Sequence, residues 1–471
     1  MKPVPIILIT CDELRRDTLG CYGNEAIQTP HIDSLAAQGL KYNNFYTVSP
    51  WCLPARCSIL TGKYPHRSGA YSNFRPCPLD EGADNIFKSL KRGGYKTGLV
   101  GKCHFAPVPY SETRPGTTHP YDEFKAYYLR LGIDHLDLQD DKNVSVWFYD
   151  DYSKALDAAG YLEPYRNAYW DRENNGLVYP FPAPAEWHPD MWVGKKAKEY
   201  IDADNLAQST FTWISFSGPH YPYDTPQEYY DRVDESKLPP MTIKEGELDD
   251  PARIHHKSYH GGGNIDGCGP APQRACKNYD EDYWRRLRIS YHANMALIDD
   301  MVGEILKSAK EKYGDDCLIL FTADHGEMLG SHGLWGKHNC AYDEVWRIPM
   351  IAKFPNQNKP ETTDVIANSN DIFPTCLKAA GLEIPEIDGT PLQEQKGMPY
   401  TFAEGEGYLA VTDGTIKYIH IEKPGESYRE LLDMGSDPHE FENQINKPEY
   451  AQDVIRMAGQ VVNHFMDTVM P

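Results

Sequence analysis

The stretch Ile6-Ile7-Leu8-Ile9-Thr10-Cys11-Asp12-Glu13 is a short apolar run that ends on two carboxylates. Uninterrupted apolar runs of this length read as strands covered on both faces, as in a parallel sheet. Three more follow at Thr97–Val100, Phe211–Phe216 and Leu318–Thr322. Helical patterns lie between them. Asp33 to Gln38 precedes Gly39, Asn85 to Arg92 precedes Gly93-Gly94, and glycine just past the last periodic residue is a common helix stop. Tyr283 to Lys312 is a long helical pattern carrying Leu287, Met295, Ile298, Val302, Ile305 and Leu306. Strand–helix alternation predicts an α/β domain with helices on both faces of a mostly parallel sheet. From about residue 386 the pattern changes. Tyr408–Thr412 and Lys417–Ile421 flank turn signals at Asp413-Gly414 and Pro424-Gly425, and a helix from Tyr450 to Met466 follows. The expected organisation is a catalytic α/β domain over 1–385 and a small antiparallel α+β subdomain over 386–471.

The chain has 471 residues, 40% hydrophobic and 25% charged, a globular composition. Its 47 Lys+Arg against 69 Asp+Glu give a net charge of −22, which argues against nucleic acid or an anionic membrane as main partner. A small anionic substrate stays compatible if a few cations dominate one pocket. Eleven scattered cysteines do not form a disulfide framework, and a reducing compartment is the simpler reading. With Met1 as the native start the expectation is a cytoplasmic protein; with a leader removed it is a periplasmic or exported one. Two segments read as irregular: the proline-rich Val178–Asp190, expected as an extended surface connection, and Pro251–Asn278, expected as a long loop. The latter carries His255, His256, His260, Cys268 and Cys276, but its Cys-x₇-Cys spacing is not that of a standard zinc site.

Ligands in open α/β sheets sit beyond the carboxyl ends of the strands. Just past the four runs stand Asp12-Glu13, Lys102 with His104, His220, and Asp324-His325. One polar residue after a strand is ordinary turn chemistry. Four strands delivering carboxylates, cations and an Asp-His pair to one edge suggest a metal ion beside an anion pocket. A second signal is Ser49-Pro50-Trp51-Cys52-Leu53-Pro54-Ala55-Arg56-Cys57-Ser58-Ile59-Leu60-Thr61-Gly62. Pro54 suits the first turn of a helix and Gly62 its end, which puts Cys52 at an anion-favouring N-terminus with Arg56 one turn on, able to reach back to the same spot.

Cys52-x-Pro54-x-Arg56, followed by Leu60-Thr61-Gly62-x-x-Pro65, resembles the signature of the type I sulfatases. Further landmarks match in order: Ile7–Glu13, Gly101-Lys102-Cys103-His104, Pro219-His220-x-Pro222, Ala323-Asp324-His325-Gly326, and Gly336-Lys337 leading to Arg347-Ile348-Pro349. The resemblance implies an alkaline-phosphatase-like α/β fold with a large mostly parallel sheet and a small C-terminal antiparallel subdomain. It implies a sulfatase whose Cys52 is oxidised to formylglycine by a maturation enzyme. One hydroxyl of the aldehyde hydrate would attack sulfur. Asp12, Asp324, His325 and the residue-52 oxygen would hold one divalent metal ion. Arg56, Lys102 and Lys337 would neutralise sulfate oxygens, Lys337 or His220 would protonate the leaving alcohol, and His104 would deprotonate the second hydroxyl. The resemblance favours Ca²⁺; a histidine ligand leans toward Mn²⁺, Mg²⁺ or Zn²⁺. The substrate implied is a small-molecule or saccharide sulfate ester. The sequence departs from the family pattern at Ala55, at Glu13, where many relatives have Asp, and at His325. Asp-His also occurs in phosphonate monoester and phosphodiester hydrolases of the same superfamily, which is the alternative reading.

Overall fold

A computed structural model describes residues 4–469 apart from 76, 110–117, 172, 173, 175, 261–275, 338–340 and 424. Among the described residues the main sheet has eight strands: β1 (Ile6–Asp12), β2 (Leu40–Tyr42), β3 (Lys96–Gly101), β4 (His135–Leu138), β5 (Thr210–Pro219), β6 (Leu318–Ala323), β7 (Met350–Lys353) and β8 (Glu361–Thr363). Their order is β8-β2-β7-β6-β1-β5-β3-β4. The strand pairings make β7 the single reversed strand among them. All of β1, β5 and β6 is buried, as strands covered on both faces require. The four apolar runs are thus β1, β3, β5 and β6, and the chain has the alkaline-phosphatase-like architecture.

Three helices matter for the site and its supports. The first, α1 (Cys52–Thr61), is buried along its whole length and ends on Gly62 at φ 66°. Leu53, Ile59 and Leu60 are fully buried there, each contributing roughly 1.5–3 kcal/mol over exposure. The second, α2 (Pro189–Asp202), packs on the sheet beside the long α3 (Glu281–Tyr313), whose N-cap Asp280 accepts from the Tyr283 N–H. The small sheet runs in sequence order as β9 (Thr401–Gly405), β10 (Tyr408–Thr412), β11 (Ile416–Lys423) and β12 (Glu426–Asp433). Helix α4 (Ala451–Val469) packs on it through Met457, against Val411, Tyr418 and Leu431.

Two expectations need correction. Val178–Asp190 is not a surface strap. Val178 bridges to Tyr223, and Val178, Tyr179, Phe181 and His188 are buried, because apolar residues between the prolines give the segment a face to bury. Pro251–Asn278 is not wholly loop: His256–His260 forms a helical turn, while Gly261-Gly262-Gly263 and Cys268 lie outside the described residues.

Gly101 closes β3 at φ 106°, and a Cβ there would meet the Ser215 carbonyl oxygen at 1.9 Å. Gly101→Ala is therefore expected to push β3 from β5 and displace Lys102. Thermal unfolding and turnover should both fall; a variant with wild-type melting and activity would contradict this packing.

Candidate active site

The carboxyl ends of five parallel strands converge at one edge. Register slips between β1 and β5 at Cys11/Asp12, and this irregularity re-aims Asp12 toward the site. Asp324 and His325 follow β6 directly. The Asp324 Oδ1 accepts from the backbone N–H of Glu13 (3.1 Å) and of His325 (2.9 Å), so adjacent strand ends lock it. Residue 52, the first of α1, comes from above. Its N-terminal turn is tied down by Asn73, whose Oδ1 accepts from the Leu53 N–H at 3.0 Å.

One ligand atom each from Asp12, Cys52, Asp324 and His325 lie within 4.8 Å of one another, and all four residues are buried. His325 Nδ1 lies 2.9 Å from the Gly326 carbonyl and must donate to it, which leaves the Nε2 lone pair facing the Cys52 sulfur at 3.2 Å. Asp12 Oδ1 is buried with no hydrogen-bond partner. An orphaned carboxylate oxygen beside an imidazole lone pair, a second carboxylate and residue 52 is a donor set that fits a divalent cation.

Cations surround the sulfur. Lys337 Nζ is 3.3 Å away, and both ring nitrogens of His104 are buried with no hydrogen-bond partner. Burial alone would raise the Cys52 pKa, but the Lys337 and Lys102 ammonium groups hold it well below the usual thiol range. The spot is therefore built for negative charge. Asp12 follows the same logic: burial and the residue-52 charge push it up, while Lys102, His220 and Arg56 hold it below the carboxylate range. Burial, then the charge of Asp12, raises Asp324.

The supports of these groups include residues that the sequence reading missed. The Lys102 ammonium bonds Asp12 Oδ2 and Asp141 Oδ2 together. Asp140 Oδ1 accepts from the N–H groups of Cys103 (2.8 Å) and His104 (2.7 Å), holding His104 at φ 49°. Both aspartates lie just past β4, whose His-Leu-Asp-Leu alternation was not read as a strand; had it been, the same strand-end rule would have found them. Ser215 on β5 accepts from Arg56 Nη1 at 2.7 Å.

Arg56 lies under the donor set. Its Nε donates to Asp324 Oδ2 at 2.8 Å and its Nη1 to Ser215 and to the Lys102 carbonyl, in full burial. The helical turn directs the guanidinium beneath the donor set, where it clamps a carboxylate of that set and leaves Nη2 without a hydrogen-bond partner. Cys52 is 2% exposed. Glu13 turns out of the donor set at φ 63°, its Oε1 3.1 Å from Lys337 Nζ and its Oε2 3.6 Å from His220 Nε2. His220 Nδ1 lies 2.6 Å from the Tyr221 carbonyl, which places His220 beside Asp12 and Asp141. Cys57 faces the Phe105 carbonyl inside the core, its thiol pushed up by burial.

The sulfatase family model matches residues 5–382, so the chain belongs to that family, a family of sulfuric ester hydrolases. A second model, described as the C-terminal part of N-sulphoglucosamine sulphohydrolase, matches 330–466. The chain is 27% identical to an arylsulfatase of Clostridium perfringens, over 96% of this chain and 92% of the relative. It is 26% identical to an N-acetylglucosamine-6-O-sulfatase of Bacteroides thetaiotaomicron, over 95% and 83%. The solved phosphonate monoester hydrolase of Agrobacterium radiobacter shares the fold with a TM-score of 0.79 and 20% identity, over 99% of this chain and 96% of that one.

Proposed function

We propose that the chain is a formylglycine-dependent sulfatase that hydrolyses a sulfate ester carried by a saccharide. The observation that supports it most is the buried Asp12, Cys52, Asp324 and His325 donor set ringed by cations. The saccharide part rests on the N-acetylglucosamine-6-O-sulfatase relative and on the second family model. In this reading a formylglycine-generating enzyme matures Cys52 within Cys52-x-Pro54-x-Arg56. Asp12, Asp324, His325 and the residue-52 oxygen hold a divalent cation, calcium by family resemblance. Bound there, the cation supplies Lewis-acid polarisation and positive charge opposite the sulfate. The formyl group, as its hydrate, supplies one hydroxyl to attack sulfur and a second to release sulfate, which a serine lacks.

The remaining residues position, bind and move protons. Lys337, beside residue 52, binds a sulfate oxygen and delivers a proton to the leaving alcohol; Glu13 orients its ammonium. His220, across Glu13, is the other candidate donor. Lys102, anchored by Asp12 and Asp141, presents fixed positive charge, so little reorganisation is needed as charge shifts during the reaction. His104, held by Asp140, takes the proton from residue 52. Arg56 keeps Asp324 in place.

The test compares matured enzyme on an aryl sulfate, the matching aryl phosphonate monoester and a diaryl phosphate, each with saturating metal. The sulfate should give the highest kcat/KM. A preference for either phosphorus ester would reassign the chemistry to phosphonate or phosphodiester hydrolysis while leaving the site intact.

A further inference from the structure

A second group of metal-ligand side chains lies apart from residue 52. His66 follows α1 on the short helical turn Pro65–Ser68, Glu404 sits on β9, and His464 is near the end of α4. The Glu404 Oε1 lies 2.8 Å from His66 Nδ1 and 2.5 Å from His464 Nε2, and one ligand atom from each residue falls within 4.8 Å of the others. The His66 backbone N–H donates to Oε2 at 3.1 Å. Glu404 is 4% and His464 7% exposed. Aromatic rings set the imidazole planes: Phe402 stacks on His464 at 4.0 Å, Tyr64 meets it edge-on at 4.5 Å, and Phe465 lies 5.0 Å from His66.

We propose that His66, Glu404 and His464 form a second, structural metal site that takes zinc or a cation of its class and staples α4 to β9 and to the turn after α1. Two imidazole nitrogens and a carboxylate are borderline donors that suit Zn²⁺, whereas Ca²⁺ and Mg²⁺ want oxygen throughout. Bonds of about 2.0–2.1 Å put ligand atoms in a zinc tetrahedron about 3.3 Å apart, so each imidazole nitrogen needs to move away from the Glu404 Oε1 by less than about 1 Å. Zinc would replace the protons that now bridge the imidazoles and the carboxylate. A largely buried carboxylate–imidazole network is then converted to coordinate bonds that neutralise Glu404. The His66 side chain is 17% exposed, which gives water the fourth position and the ion an entry path. The three elements are distant in sequence, so zinc here cross-links the last helix of the described chain to its catalytic half.

The test is zinc stoichiometry on the full chain carrying Asp324→Asn, which weakens the residue-52 donor set. After chelation and dialysis against zinc, this protein should retain one zinc per chain. Adding His464→Gln or Glu404→Gln should remove it, and zinc should raise the melting temperature only where all three ligands remain. In the otherwise wild-type enzyme, His464→Gln should keep sulfatase activity, which separates this site from the catalytic one. Should a variant fail to fold, His66→Gln provides the same reading at the most exposed ligand. Zinc stoichiometry and zinc-dependent melting unchanged by all three substitutions would overturn the proposal, leaving a hydrogen-bonded His–Glu–His cluster.

Discussion

Cys52→Ala is expected to abolish turnover, a loss on the order of 10⁴-fold or more, because in the proposed mechanism it removes the residue whose modified side chain carries the nucleophile. The alanine also removes one donor of the four-residue set, so metal affinity should fall with it. The neighbouring cysteine gives the contrast. Cys57 is fully buried against the Phe105 carbonyl, and Cys57→Ala should cost about 1 kcal/mol of stability while activity is largely kept. Kinetics on both variants, with urea unfolding alongside, separates the two roles, and mass spectrometry of active wild-type enzyme should find the aldehyde at 52 alone. Full activity in Cys52→Ala, or active enzyme with an intact thiol at 52, would leave the fold and remove the mechanism.

The second large effect is expected at Asp324. Asp324→Asn removes a charge from the metal set and the partner of a guanidinium in full burial. Turnover should fall by about 10³-fold or more, the scale of losing several kcal/mol of metal-assisted stabilisation. With Arg56 left unpaired, unfolding free energy should drop by about 3–5 kcal/mol. The wild-type enzyme should be stabilised by added calcium; the variant should lose that response. A variant that keeps both stability and calcium response would show that Asp324 does not belong to the metal set.

Much of this site could be read from residue order alone, for a physical reason. A buried strand announces itself as an apolar run, and its end is where the first polar residues must fall. Asp12, Lys102, His104, His220, Asp324 and His325 were found that way, and Cys52 by its signature. What stayed hidden depends on direction rather than position. Arg56 was placed correctly on its helix, yet only the packed turn shows its guanidinium committed to Asp324, Ser215 and the Lys102 carbonyl. Glu13 follows Asp12 immediately, and it takes the turn at φ 63° to separate the two side chains. Asp140 and Asp141 escaped because β4 alternates polar and apolar residues and lacks the run that marked its neighbours. The outer strands β9 and β12 escaped for the same reason, being mixed in polarity on a sheet that buries mainly one face.

The burial of α1 fixes an order of events for the proposed maturation. Cys52 is 2% exposed and Arg56 fully buried, and every residue of the helix is enclosed. A second enzyme cannot read Cys52, Pro54 and Arg56 on that helix, because their side chains already face the sheet edge and the core. Recognition therefore belongs to the nascent or unfolded chain, with the segment extended and its side chains free. Oxidation and folding become competitors. A molecule that closes its sheet first keeps its thiol for good, so the active fraction of any preparation records how fast this chain folds relative to how fast it is modified.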